Sequence, residues 1–252
     1  MSGKQSKHPT IAVVTGAARG IGRGIAEALA GQRSTVIIID KDSAQSVVDA
    51  IIAGGGIAEA YQADVTKAAS VRQCVRKILR RHNRIDILVN NVGTSQRKNI
   101  LEITEQDWDR LMNINLKSAF FCSKAILPTM IKHRAGRIIN LSSIAARRGS
   151  ALGHVHYSAT KAGLIGMTRT LAAWAAQYGI TVNAVAPGCI DTELLRQIHP
   201  LKEIQAFAKI TPLQRVGTTA EVGELVAFLA GKNAGFITGA VIDINGGAWI
   251  GS

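Results

Sequence analysis

The stretch TIAVVTGAARGIG, Thr10 to Gly22, decides the fold of this chain. Its first half, Thr10–Thr15, is apolar and β-branched, the pattern of a strand buried on both faces. Its second half, Gly16-Ala17-Ala18-Arg19-Gly20-Ile21-Gly22, is a glycine turn that opens a helical run of small residues, Gly20–Gly31. Glycines at a strand-to-helix junction let the backbone turn tightly and approach a diphosphate closely. The helix N-terminus then offers unpaired N–H groups and the positive end of its dipole. The spacing G-x-x-x-G-x-G lacks the Gly-Lys-Ser/Thr ending of a P-loop, which argues against an NTPase.

Outward from that turn, short apolar runs alternate with helical patterns. Strands are expected at Thr35–Asp40, Ala58–Ala63, Ile85–Asn90, Arg137–Leu141, Thr181–Ala186 and Ala240–Ile244. Between them the spacing predicts helices over Ser43–Ala53, Lys67–His82, Thr104–Met112, Asn113–His133, His156–Gln177 and Thr219–Ala230, with an irregular helical insertion over Glu193–Leu213. This order predicts an α/β fold: a single-domain, Rossmann-type, doubly wound parallel sheet of about seven strands with helices on both faces. One domain spans 1–252, its dinucleotide-binding half falling over about 10–92 and a substrate lid over about 191–214. No linker, repeat or low-complexity segment interrupts it.

Composition narrows the function classes. Nearly half of the 252 residues are apolar, enough for a sizeable core. The N-terminus MSGKQSKHPT is short and polar, without the apolar region of a secretory signal, and no apolar run approaches the roughly 18 residues that span a bilayer. Three scattered cysteines, Cys74, Cys122 and Cys189, lack metal-ligand spacing and read as reduced thiols. A cytoplasmic protein without metal or membrane partner is therefore expected. The formal charge of +13 is spread over helix faces, with short clusters such as Arg147-Arg148 and no interleaved aromatics, so nucleic acid is not the expected partner.

Several residues point to redox chemistry. Asp40 ends the second strand, 20 residues beyond Gly20. A carboxylate there accepts hydrogen bonds from ribose hydroxyls and repels a 2′-phosphate, so NAD(H) is expected over NADP(H), against the counter-signal of Arg19 and Lys41. Tyr157 and Lys161 stand four apart on one face of the long helix. A tyrosine with an ordinary pKa near ~10 is a poor base at neutral pH, and a neighbouring ammonium lowers it. Asn90 and Ser143 lie at carboxyl ends of strands, where ligands of open α/β sheets bind, and a serine hydroxyl there can stabilise a developing alkoxide.

Together, Thr15-Gly16-(x)3-Gly20-x-Gly22, Asp64-Val65, Asn90-Asn91-Val92-Gly93, Asn115, Ser143, Tyr157-(x)3-Lys161, Pro187-Gly188 and Asn245-Gly246-Gly247 make the whole chain resemble the short-chain dehydrogenase/reductase family. Val92 departs from the family's N-N-A-G. The resemblance implies a tetrad. Tyr157 would be the general acid/base and Ser143 would orient the carbonyl. Lys161 would bind the nicotinamide ribose and lower the tyrosine pKa, and Asn115 would hold a relay water. Gly16, Arg19, Gly20, Ile21 and Gly22 would cradle the cofactor, with Asp64 and Val65 at the adenine and Asn91 and Gly93 on the adenosine ribose side. Pro187, Gly188, Ile190 and Thr192 would hold the carboxamide end. The family's usual serine-to-tyrosine spacing is one residue shorter than the 14 between Ser143 and Tyr157, which reads as an insertion in the intervening loop, with Ser142 as the possible substitute.

Arg147, Arg148, His154 and His156 make that loop basic. His154, with Arg148, is the candidate contact for a polar substrate group; the other reading is solvent or a subunit interface. Two substrate readings follow from the resemblance. One is an NAD-dependent dehydrogenase of an alcohol, polyol, sugar or hydroxy acid. The other is a 3-oxoacyl-carrier-protein reductase, a type that commonly uses NADPH and for which Arg134 and Arg137 are available to an acidic carrier. A non-catalytic NAD-binding scaffold is the third reading. The small residues of the long helix, including Ala162, Gly163 and Gly166, allow close packing between subunits, and the resemblance implies a homotetramer.

Overall fold

The computed structural model describes residues 9–149 and 154–251. The polar N-terminal run 1–8, Ser252, and positions 150–153, part of the loop to which the extra residue is assigned, lie outside the described residues. Seven strands alternate with the helices: β1 (Ile11–Thr15), β2 (Thr35–Asp40), β3 (Ile57–Gln62), β4 (Ile87–Asn90), β5 (Gly136–Leu141), β6 (Ile180–Pro187) and β7 (Val241–Ile244). All neighbours are parallel, in the order β3-β2-β1-β4-β5-β6-β7. The doubly wound parallel sheet read from the sequence is thus the one observed. Chain direction across the sheet reverses between β1 and β4, which opens a crevice beyond their carboxyl ends.

The alternation of side chains along each strand builds two cores. Ala12, Val14, Val36 and Ile38 face one layer, packed on α1 (Gly20–Gly31), α2 (Gln45–Ala53) and α10 (Thr219–Ala230). Ile11, Val13, Ile37 and Ile39 face the other, packed on α3 (Ala68–His82), α5 (Ser118–His133) and α7 (Val155–Ala175). Each fully buried aliphatic chain contributes about 1.5–3 kcal/mol. Gly24 and Gly223 let α1 and α10 meet backbone to backbone. A Cβ on Gly24 would lie 2.5 Å from Thr219 O, and one on Gly223 would lie 2.5 Å from Gly24 O.

Two elements differ from their sequence pattern. The helix expected to run unbroken from Asn113 opens with a wide π-type turn, Asn113–Lys117, between α4 (Glu105–Met112) and α5. Such turns need a local gain to persist, and here the gain is the Asn115 amide, drawn inside to 1% exposure and held by three hydrogen bonds. The insertion over 193–213 resolves into α8 (Glu193–Ile198) and α9 (Leu201–Ile210), broken at His199-Pro200 because Pro200 has no N–H to continue a helix. A short helix, α6 (Ala145–Arg148), follows β5. No helix among the described residues is long and apolar enough to cross a membrane.

Candidate active site

Beyond the carboxyl ends of β1, β4, β5 and β6 lies a cleft of ≈ 690 Å³, within the size range of small-molecule sites. Tyr157, Lys161 and Ser143 line it together with the glycine turn. Helix α7 carries Tyr157 and Lys161 on one face, the Lys161 Nζ lying 5.8 Å from the phenol ring centre. Lys161 is 4% exposed and donates to Leu141 O at 2.7 Å. Burial with so little compensation pushes its ammonium down to about 8. Burial also pushes the Tyr157 phenol above its ordinary value; a hydrogen bond with Ser143 pulls the other way, and nearby Cys189 adds a smaller upward push. The expected lowering of the tyrosine by Lys161 is therefore corrected for the protein alone. Burial is the largest influence on the phenol, and the Lys161 ammonium points to a backbone carbonyl.

The two adjacent serines are distinguished by their partners. Both are buried and both line the cleft, but Ser142 Oγ donates to Lys161 O at 2.8 Å, whereas Ser143 Oγ accepts the Ala145 N–H at 3.1 Å and acts on Tyr157. Asn115 accepts from Thr94 N–H at 2.8 Å and donates both amide protons, to Thr94 O at 2.9 Å and Thr160 Oγ1 at 3.0 Å. A water relay at this side chain is left with one lone pair of Oδ1. Asn115 also fixes the segment that brings Gly93 against Lys161: a Cβ on Gly93 would lie 3.0 Å from the ammonium.

The glycine turn has the shape of a phosphate cradle. Gly16 and Gly20 have φ of +67° and +57°, and a Cβ on Gly22 would lie 2.2 Å from Gly16 O. Asn91 Nδ2 donates to Thr15 O at 3.0 Å and Gly16 O at 2.8 Å, and Thr15 Oγ1 accepts the Asn91 N–H at 3.1 Å. Asn91 thus braces the turn from β4 while lining the cleft. A dinucleotide fits this construction: the glycine floor leaves the close approach open, and Arg19, Ile21, Asp64, Val65, Pro187, Gly188 and Thr192 line the same cleft. The Thr66 hydroxyl, bonded at 2.6 Å, holds the Asp64 carboxyl below its ordinary value.

Other expected contacts fall elsewhere. The Ile190 side chain packs in the core, against Gly217, and does not line this cleft. Arg148 Nη1 donates to Ala248 O at 3.0 Å, fastening the C-terminal segment rather than facing substrate. Its neighbour Arg147 pairs with Asp243 at 2.8 Å and stacks on Trp249. His154 does not line this cleft; its ring meets that of Tyr157 edge-on, with centres 6.2 Å apart. Arg134 donates to Gln177 O and Arg137 to Gly136 O, both before or at the start of β5 and so at the opposite end of the sheet from the cleft. They are not at this chain's cleft mouth. Sequence reasoning missed Thr94 and Thr160, whose only sequence signal is adjacency to Gly93 and Lys161. It also missed the buried line Ser123–Asn90–Asn140–Thr168 beneath the site, bonded at 3.1, 2.8 and 2.8 Å.

Residues 16–248 match the family described as Enoyl-(Acyl carrier protein) reductase. Among relatives, the 3-oxoacyl-[acyl-carrier-protein] reductase FabG of Staphylococcus epidermidis is 40% identical over 242 residues, 95% of this chain and 98% of that protein. The 3-oxoacyl-[acyl-carrier-protein] reductase of Synechocystis sp. is 41% identical over 94% of this chain and 96% of its own. FabG of Escherichia coli is 39% identical over 95% and 97%. The crystal structure of gox2181 superposes with a TM-score of 0.92 at 33% identity, covering 96% of each chain. These relatives overturn the expectation of NAD(H) over NADP(H), because reductases of their kind are those associated above with NADPH. The geometry explains why Asp40 misleads. Its Oδ2 accepts the Ala18 N–H at 2.9 Å and its Oδ1 the Asp42 N–H at 3.1 Å, so the carboxylate is engaged in holding the turn. Arg19 and Lys41 flank it at the same end of the cleft.

Proposed function

The chain belongs to the short-chain dehydrogenase/reductase family, and from that premise we propose that it reduces 3-oxoacyl thioesters on an acidic acyl-carrier protein with NADPH. The observation that carries the reading is the cleft in which Tyr157 and Ser143 stand beside the buried Lys161 and the glycine turn, with burial raising the phenol's hold on its proton. A tyrosine held protonated is a proton donor, the role that carbonyl reduction asks of it. The relatives named above, matched over nearly the whole chain, favour this substrate over a polyol, sugar or hydroxy acid.

When bound, NADPH supplies the hydride. The chain does the rest. Ser143 Oγ donates to the carbonyl oxygen and holds it against Tyr157. As negative charge develops on that oxygen, Tyr157 gives up its proton to it, and the Lys161 ammonium lowers the cost of the resulting phenolate. Asn115, through Thr94 and Thr160, keeps Gly93 and α7 in the register that this geometry needs. Gly16, Gly20 and Gly22 would receive the diphosphate, and Arg19 and Lys41 would face the 2′-phosphate. Among the described residues the Arg19 side chain pairs with Asp42 alone, at 3.3 Å with both side chains largely exposed, a pair that is easily given up. The charge of +13 suits an acidic carrier. The exposed Phe120, Trp174 and Phe228 on helices α5, α7 and α10 suit burial between copies of the chain, as a homotetramer.

A panel of carrier-bound 3-oxoacyl thioesters, polyols and hydroxy acids tests the reading. Turnover is expected on the carrier-bound thioester, with a KM that rises steeply with salt, and is lost in Tyr157→Phe. Faster turnover on a polyol or hydroxy acid would refute it.

A further inference from the structure

One cluster of titratable side chains has no part in the chemistry above. His154 is at the start of α7, 7% exposed, its ring centre 6.2 Å from that of Tyr157 and edge-on to it. Its Nδ1 lies 3.0 Å from Ser95 Oγ, in the segment that follows Gly93-Thr94. Its face stacks on His199 at 6.0 Å with the planes 24° apart. His199 stands at the break between α8 and α9, and its Nδ1 lies 2.9 Å from Glu203. Glu203 in turn accepts two contacts from Arg97, at 2.9 and 3.0 Å, and Phe207 closes the edge of the His199 ring at 5.1 Å.

Three separate pieces of chain meet here: the segment after β4, the start of α7 and the lid. None of these side chains lines the cleft that holds the glycine turn, although His154 touches Tyr157, which does. His154 meets the ring of Tyr157 edge-on and His199 belongs to the 193–213 segment, so the stacked imidazoles join that segment to the catalytic tyrosine. The contacts holding them are weak ones. Arg97 and Glu203 are partly exposed, and such pairs hold only loosely. A segment fastened this way opens readily, as a lid must.

We propose that His154 and His199, latched by the Arg97–Glu203 pair, are specificity-determining residues. They hold the lid across the substrate side of Tyr157 and admit a substrate according to its ability to part the two imidazoles.

The test has two readouts, only the second of which rests on the proposed reduction. Trypsin has targets inside the lid at Arg196, Lys202 and Lys209. In the full-length protein without substrate, Arg97→Glu is expected to raise cleavage after Lys209 by about fivefold, the upper range for an exposed ion pair. Adding Glu203→Arg to it returns the rate to near wild type. On N-acetylcysteamine thioesters of a short and a long 3-oxoacyl chain, His199→Ala is expected to raise the long-to-short ratio of kcat/KM by about fivefold, through KM. Unchanged cleavage in Arg97→Glu, or an unchanged ratio in His199→Ala, overturns the proposal. So does an equal loss of kcat on both thioesters, which would put the pair in the service of Tyr157 instead. If wild type turns over neither thioester, the proposed reduction fails and the cleavage readout alone decides the latch.

Discussion

Lys161 is a cation held where water is nearly excluded, and Lys161→Met removes the charge while keeping most of the side-chain length. Burial lowers the ammonium from 10.5 to about 8. At about 1.36 kcal/mol per unit, the folded protein resists this proton by an amount on the order of 3 kcal/mol. The folded pKa is the depressed one, so the unfolded chain binds more protons between the two values. The associated stability is complete above the unfolded pKa and is lost as pH falls through about 8. Near pH 7 wild type therefore carries the whole penalty. The variant carries none and loses only the hydrogen bond to Leu141 O, about 1 kcal/mol. Lys161→Met should thus be more stable than wild type by about 1–2 kcal/mol near pH 7, and the advantage should vanish or reverse near pH 10. Urea unfolding of both proteins at the two pH values measures this. The difference between them cancels the thiols of Cys74 and Cys122, which burial pushes up in both. Turnover should fall by about 10²–10⁴ in the same variant. A variant destabilised by more than about 2 kcal/mol near pH 7 would refute the reasoning, because the fold would then depend on the charge.

Other changes separate structural from chemical roles. Ser142→Ala should cost about 1 kcal/mol of stability through the lost bond to Lys161 O and leave turnover within a few-fold of wild type. Ser143→Ala should leave stability unchanged and lower kcat by about 10²–10³; the opposite pattern would make Ser142 the carbonyl ligand. Gly22→Ala places a methyl 2.2 Å from Gly16 O, so NADPH affinity measured by fluorescence titration should fall by at least about tenfold; unchanged affinity would remove the turn from the cofactor site.

How much of this was legible beforehand follows from which interactions are local. The strand–turn–helix at 10–31 was readable because apolar run, glycine spacing and small-residue helix all act within a few residues. The π turn at Asn113–Lys117 was not, since the force that creates it comes from Thr94 and Thr160, distant in sequence. Tyr157 and Lys161 were legible as a pair, but their proton affinities depend on burial that no spacing encodes. Asp40 was located correctly at the end of β2 and misread. Its hydrogen bonds to Ala18 and Asp42 depend on how the turn folds back, and they leave the flanking Arg19 and Lys41 to be weighed afresh. His154 was singled out as basic and close to Tyr157, yet His199, stacked on it, and Glu203, bonded to His199, lie in the 193–213 segment, whose break at Pro200 only the folded chain reveals.

The central claim is an NADPH-dependent reduction at Tyr157, and steady-state kcat/KM on a carrier-bound 3-oxoacyl thioester with NADPH against NADH tests it most directly. The account predicts NADPH ahead by at least about tenfold, the worth of one or two charge-assisted contacts from Arg19 and Lys41, with the ratio falling in Arg19→Ala. Equal or greater efficiency with NADH would contradict it.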